Sequence, residues 1–414
     1  MGQNAPLFYD EPLELVRGEG VWAYDAQGRA YLDCYNNVPH VGHCHPRVVE
    51  AIQKQVATLN LNTRYLHPGV VRYSEELAAT VAIDDAAVML TCTGTEANEL
   101  ALRLAEHHTG ARGVIVSDFS YHGNSRQLAA LTSCFETPEP FPDRARAIPV
   151  PDPFRDRQGR DDETLANAYA AHVEAAVASL QAAGHGVSAM LVDASFANEG
   201  LPDIVPGFLA KAVEIVRKAG GLVIFDEVQA GFGRTGRAMW SHQLHDIAPD
   251  IVTMGKPMGN GFPVAGMIAP RDMIDRFGAK ANYFNTFGGN PVAAAAAQAV
   301  LDVLREESLL EQAGTVSAHV VAGLDALCEK YPAVANVRSR GMFFGLELTK
   351  PDADRTPDPA MAKRIVEGMK AEGVLMGRIG RHDNVLKLRP AMIFETEHAD
   401  ILLGRLDRVL GALS

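Results

Sequence analysis

Five short apolar runs in this chain each end in a polar or glycine-bearing turn: VMLTCTG (88–94), RGVIVSD (112–118), SAMLVDA (188–194), GLVIFDE (221–227) and DIVTMGK (250–256). Longer amphipathic stretches separate them, including TEANELALRLAEHHTG and ETLANAYAAHVEAAVASLQAAG. Short buried strands alternating with helices are the pattern of βα units wound around a mostly parallel sheet. In the second helix Leu165, Tyr169, Val173, Ala176, Val177 and Leu180 fall on one face, which marks its core side. The segment from Pro138 to Pro153 holds six prolines among charges and reads as a long surface loop.

After Asn290-Pro291, a helix start, the pattern changes. NVRSRGMFFGLELTK and NVLKLRPAMIF read as antiparallel strands flanking the helix AMAKRIVEGMKAEG. The expected organisation is a segment over 1–45 packing with a small C-terminal part, a large α/β domain over 46–305, and a small α+β domain over 306–414.

The chain has 414 residues, with 38 Lys+Arg against 51 Asp+Glu and a formal charge of -13. A negative field repels nucleic acid and anionic membranes, so neither is expected as a partner. No apolar run reaches the roughly 20 residues of a membrane span. The start, MGQNAPLFYDEPLELVRG, lacks the basic and apolar regions of a secretory signal, and Pro6 breaks a myristoylation pattern. Five cysteines without a CxxC pair suit a reducing compartment. A cytoplasmic protein is expected. Cys34, His40, His43, Cys44 and His45 lack paired ligand spacing, so no metal is expected there.

Four turns carry chemistry. Asp226 ends an apolar strand, where open α/β sheets bind ligands. Lys256 follows another such strand between Gly255 and Pro257, and burial there lowers its pKa toward nucleophilic use. Thr93-Gly94-Thr95 precedes a helix and offers N–H groups and hydroxyls to a phosphate. Tyr121 and His122 follow a fourth strand and can stack on a flat ring. The Thr93 turn is neither a Walker A nor a GxGxxG loop, and the glycines of GFGRTG (231–236) follow an acidic turn rather than open a helix, so ATP and NAD are poorly supported. Together these parts match the needs of pyridoxal 5′-phosphate: a lysine for the Schiff base, a carboxylate for the pyridine nitrogen, a phosphate cradle and an aromatic face.

These motifs, with GVWAYDAQGRAYLDCYNN, DEVQAGFGRTG, NTFGGNP and LKLRPAMIF, resemble the class-III pyridoxal-phosphate-dependent aminotransferases of fold type I over nearly the whole chain. The resemblance implies that Lys256 is the Schiff-base lysine and that Asp226 pairs with the pyridinium nitrogen. It further implies that Gln229 lies near the phenolic oxygen, Gly94 and Thr95 hold the phosphate, and Tyr121 stacks on the ring, with His122 beside it. Thr286 would reach the phosphate of the neighbouring subunit in a homodimer. Many members carry an arginine three positions before a proline in the last strand, opposite a glutamate. Here Lys387 and Asp193 stand at those positions, and lysine lacks the bidentate fork.

YLDCYNNVPHVGHCHPRVVEA and LNLNTRYLH look most like the subgroup containing ethanolamine-phosphate phospho-lyase. For a phosphorylated amine, Arg64, Lys387 and Arg389 are candidate phosphate contacts; for a keto acid, Arg378 or Arg381 is the alternative. Transfer of an amino group from a primary amine or ω-amino acid is the first expectation, phosphate elimination the second, and a non-catalytic binding protein the third. Arg234 in GFGRTG is expected at a subunit interface.

Overall fold

The computed structural model describes residues 7–414, and Pro6 with its neighbours lies outside them. In chain order the strands are β1 (Leu15–Glu19), β2 (Trp22–Asp25), β3 (Ala30–Asp33), β4 (Ala86–Thr91), β5 (Val114–Ser117), β6 (Ala145–Ile148), β7 (Ala189–Val192), β8 (Leu222–Asp226), β9 (Ile251–Met254), β10 (Ala265–Pro270), β11 (Val334–Ser339), β12 (Phe344–Leu348), β13 (Val374–Leu375), β14 (Gly377–Ile379) and β15 (Val385–Leu388). The large sheet has seven strands in the order β4-β10-β9-β8-β7-β5-β6. All run parallel except β10, which is antiparallel to both β4 and β9. The carboxyl ends of β4, β9, β8, β7 and β5 therefore meet along one edge.

All five anticipated apolar runs are strands of this sheet. The proline-rich segment is a correction: it is no continuous loop, because Ala145–Ile148 pairs in parallel with β5 as the sheet's last strand. Its prolines, Pro142 and Pro149, flank the strand rather than interrupt it, and an edge strand needs donors on one side only.

The helix Gly94–Thr109 opens with a capping box. Glu96 N–H donates to Thr93 Oγ1 at 3.1 Å and Thr93 N–H donates to Glu96 Oε2 at 3.0 Å. It closes on Gly110 in the left-handed region, φ 69°. In the helix Asp162–Ala182 the six residues of the anticipated face are all buried. They pack on Ile115, Met190 and Phe225 from the sheet.

Beyond the helix Pro291–Glu306, capped by the Asn290 side chain on Ala293 N–H, β11, β12, β15 and β14 form an antiparallel sheet. The N-terminal strands join the other end of the chain: β13 pairs in parallel with β3, Val374 with Leu32. Arg234 also binds separate parts of the chain and is fully buried, which corrects its expected place at a subunit interface. Its guanidinium donates to the carbonyls of Met342 and Pro390 and contacts His40 Nδ1 at 3.0 Å. No helix among the described residues is long and apolar enough to cross a membrane.

Candidate active site

The strand ends along the shared edge frame a cavity of about 310 Å³. Thr93, Gly94 and Thr95 after β4, Tyr121 and His122 after β5, Asp193 after β7, Asp226 and Gln229 at and after β8, and Lys256 after β9 all line it. Seven of the residues singled out from sequence for the cofactor are thus brought together; the eighth, Thr286, is not.

Asp226 sits on the floor of the cavity in a dense set of donors. Its Oδ2 lies 2.8 Å from His122 Nδ1 and accepts from Asn98 Nδ2 at 2.8 Å, while its Oδ1 accepts from Val228 N–H at 3.0 Å. Burial pushes the carboxyl up, but His122, the Val228 N–H and Lys256 outweigh it and hold Asp226 below its usual range. A carboxylate only accepts, so the His122 proton is on Nδ1. Asn98 was missed from the sequence. It lies one turn inside an apolar helix, is buried, and its Oδ1 accepts from Thr253 Oγ1 at 2.5 Å while its amide also donates to the His122 carbonyl. A lone polar residue on an apolar helical face was the available signal. Glu227 points the opposite way, bound by Ser241 and by the backbone and ring of His242.

Lys256 opens into the cavity, and desolvation by the walls around it lowers its pKa against the opposing pull of Asp226. At the phosphate end, Thr93 occupies the Glu96 N–H, leaving those of Gly94 and Thr95 with no partner inside the helix. Space requires glycine at Gly94, where a Cβ would come within 2.7 Å of Val228, and is tight at Gly255, where it would come within 3.2 Å of the same side chain. Tyr121 is held edge-on by Phe135, ring centroids 5.6 Å apart.

The residues considered for substrate are dispersed. Asp193 lines the cavity, its oxygens accepting from Ser195 N–H at 2.8 Å and Ala197 N–H at 3.0 Å. Burial and the repulsion of Asp226 raise it to about 6. Lys387 is buried, with Nζ 3.5 Å from the Ala197 carbonyl and 5.2 Å from the Phe343 ring centre. Burial and the charges of Arg389 and Lys256 hold its pKa well below the usual lysine range. Arg389, also buried, donates to Gln229 Oε1 and to the Tyr35 carbonyl. Arg64 is exposed and covers the Phe284 ring at 4.2 Å, away from this cavity. Arg378 pairs with Asp383 and Arg381 with Asp118. Of the five residues of the candidate metal motif, His40 meets the Phe232 carbonyl at 2.6 Å and His43 meets Asp33 at 2.8 Å.

Residues 8–410 match the family model described as Aminotransferase class-III. The chain belongs to the class-III aminotransferase family. It is 38% identical to alanine–glyoxylate aminotransferase 2-like of Drosophila melanogaster, over 98% of this chain and 84% of that protein. It is 36% identical to ethanolamine-phosphate phospho-lyase homolog 1 of Caenorhabditis elegans, over 99% of this chain and 91% of the other. Among solved structures, a phospholyase from Arthrobacter in complex with phosphoethanolamine matches with a TM-score of 0.97 and 48% identity, covering 100% of this chain and 98% of that one.

The α/β fold and the cofactor, pyridoxal 5′-phosphate, follow from the class-III family. The residues present fit that group. A lysine open to the cavity, an ionised carboxylate with fixed donors, free N–H groups at a helix start and glycines beside the slot converge on one cavity.

Proposed function

We propose that this class-III enzyme is a phospho-lyase: it eliminates phosphate from ethanolamine phosphate or a similar phosphorylated amine, with water giving the aldehyde, ammonia and phosphate. The observation that carries this reading is Lys387. Where the resemblance places a carboxylate-clamping arginine, this chain has a buried lysine whose Nζ contacts the Ala197 carbonyl, next in sequence to Asn198 of the cavity lining. A lysine suits a phosphate as a point charge but cannot grip a keto-acid carboxylate bidentately. The other cations considered for a keto acid, Arg378 and Arg381, are already paired with Asp383 and Asp118. The 48% identity to a phospholyase structure holding phosphoethanolamine supports the same choice.

When bound, pyridoxal 5′-phosphate supplies the electron sink for the carbon next to the substrate nitrogen. Asp226, kept anionic by its donors, would keep a proton on the cofactor's ring nitrogen. Lys256, desolvated and so neutral more readily, takes the proton from that carbon. Gly94 and Thr95 would hold the cofactor phosphate through their N–H groups, Tyr121 and His122 would cover its ring, and Gln229, fixed by Arg389, would serve its phenolic side. Lys387 and Arg389 supply the positive field for the leaving phosphate, and Asp193 orients the loop beside Lys387.

The proposed assembly is a homodimer. Thr286 and Arg64 are exposed beside the outward side chains of Phe287, 70% exposed, and Leu66, 93% exposed, outside their own cavity. That placement suits a role for both at the partner's site. Supplying ethanolamine phosphate without a keto acid and measuring phosphate and acetaldehyde tests the proposed activity. Amino transfer, the first expectation from sequence, is the alternative outcome.

A further inference from the structure

The loop after β7 is held in an uncommon shape by contacts from the small C-terminal part. Phe196 and Leu201, both fully buried, have φ of 48° and 53°, a region that bulky side chains rarely adopt. Such a shape persists only where the surroundings over-determine it. Lys387 Nζ on β15 donates to the Ala197 carbonyl at 3.5 Å and Gly380 N–H to the Asn198 carbonyl at 3.2 Å. Arg338 on β11 donates to the Gly200 carbonyl at 2.7 Å, and Arg340 to the Pro202 carbonyl at 2.8 Å. Within the large domain, Ser117 Oγ donates to Glu199 Oε1 at 2.6 Å. Between the two strained residues, Asn198 lines the cofactor cavity, half-buried, and its side-chain amide makes no hydrogen bond among the described residues.

The other polar groups of the cavity are engaged. Asn98 and His122 hold Asp226, Gln229 accepts from Arg389, Asp193 binds its own loop, and Thr95 Oγ1 donates to Asn124 at 3.1 Å. His122 Nε2 is bare, but with the proton on Nδ1 it can only accept. Lys256 and Tyr121 serve the cofactor in the proposed mechanism. A phosphorylated amine has two polar ends. Its nitrogen must come to the place of Lys256, so its phosphate is the end that needs a donor elsewhere in the cavity.

We propose that the Asn198 side-chain amide donates to the phosphate of the bound amine and so selects a phosphorylated substrate. An amide offers two N–H donors without a charge. This suits a cavity already lined by Asp193 and Asp226, where a third carboxylate would repel the phosphate. Lys387 holds the carbonyl one residue before Asn198, so it acts through the loop it fixes. A donor braced in advance loses little freedom when the ligand arrives, which strengthens binding.

The inference rests on the phospho-lyase reading, and the experiment separates the two. Phosphate release by wild-type holoenzyme from ethanolamine phosphate, without a keto acid, reads the activity, and no release overturns that reading. Titration calorimetry of each holoenzyme with inorganic phosphate at pH 8 reads Asn198. Asn198→Ala is expected to weaken inorganic phosphate and to raise KM for ethanolamine phosphate about tenfold, the scale of one lost hydrogen bond to a charged group. Asn198→Asp, with the size of the native side chain, is expected to weaken both by about a hundredfold, since repulsion adds to the lost donor. Ethanolamine, which lacks the phosphate, should bind all three proteins equally, as followed by cofactor absorbance, and Asn198→Ser should recover part of the phosphate affinity. Should Asn198→Asp not fold, Asn198→Ala carries the same comparison. Equal phosphate affinity in wild type and the variants, an equal loss for ethanolamine and phosphate, or a wild type that binds no inorganic phosphate overturns the assignment of Asn198, whatever the wild type releases.

Discussion

His122 Nδ1 lies 2.8 Å from Asp226 Oδ2, and Asn98 Nδ2 reaches the same oxygen at 2.8 Å. One side chain from the connection after β5 and one from the helix Gly94–Thr109 thus hold one carboxylate, fixing both its charge and its direction. Asp226→Asn keeps the shape but removes the charge, and sets an NH2 group against one of the three donors that the carboxylate accepts from. Activity is expected to fall by roughly a hundredfold or more, the scale of one lost electrostatic contact in a dry site. Thermal unfolding of the variant, run beside kcat/KM, distinguishes this from loss of fold.

Lys256→Ala removes the only lysine lining the cavity among the described residues. Turnover should drop by on the order of a thousandfold or more, as when a covalent catalytic group is deleted. The variant should also lose the absorbance of the covalently held cofactor, while added pyridoxal 5′-phosphate still binds through the Gly94–Thr95 end.

Arg234 serves stability. Its side chain satisfies the carbonyls of Met342 and Pro390 and meets His40 in a fully buried position. Arg234→Met leaves those groups bare, at roughly 1–3 kcal/mol each. Urea denaturation should show a loss of several kcal/mol, and Arg234→Lys should recover little because lysine cannot span the three partners.

Glu199 gives stability a pH slope. Its carboxyl is raised from an ordinary 4.5 to about 7 by burial and by Asp193. Between those values the folded chain binds a proton that the unfolded chain has released, so this stabilisation is complete below pH 4.5 and is lost as pH rises toward 7. Glu199→Gln cannot titrate. The stability of wild type relative to this variant is expected to fall by about 3 kcal/mol across that window, as measured by denaturant unfolding at pH 4.5, 6 and 7.5.

Much of the cavity was legible because each residue follows an apolar strand and one edge of a parallel sheet gathers them. Asp226, Lys256, Gly94 and Tyr121 needed only strand boundaries and the rule that ligands bind at carboxyl ends. Asn98 was hidden for another reason: its role depends on what the fold packs against it, Thr253 and His122. The edge strand Ala145–Ile148 was obscured by prolines that bracket it, and β10, carrying Gly266 and Pro270, has the composition of a turn. Arg234, in a glycine-rich turn, read as a surface residue because buried arginines are rare; the acceptors that bury it lie more than a hundred positions away.

The most direct test is phosphate release by the pyridoxal-phosphate-loaded enzyme given ethanolamine phosphate and no keto acid. Stoichiometric phosphate, acetaldehyde and ammonia over many turnovers, abolished in Lys256→Ala, is the predicted result. No phosphate under those conditions, together with amine consumption that depends on added pyruvate, would contradict the phospho-lyase account and make the enzyme an aminotransferase.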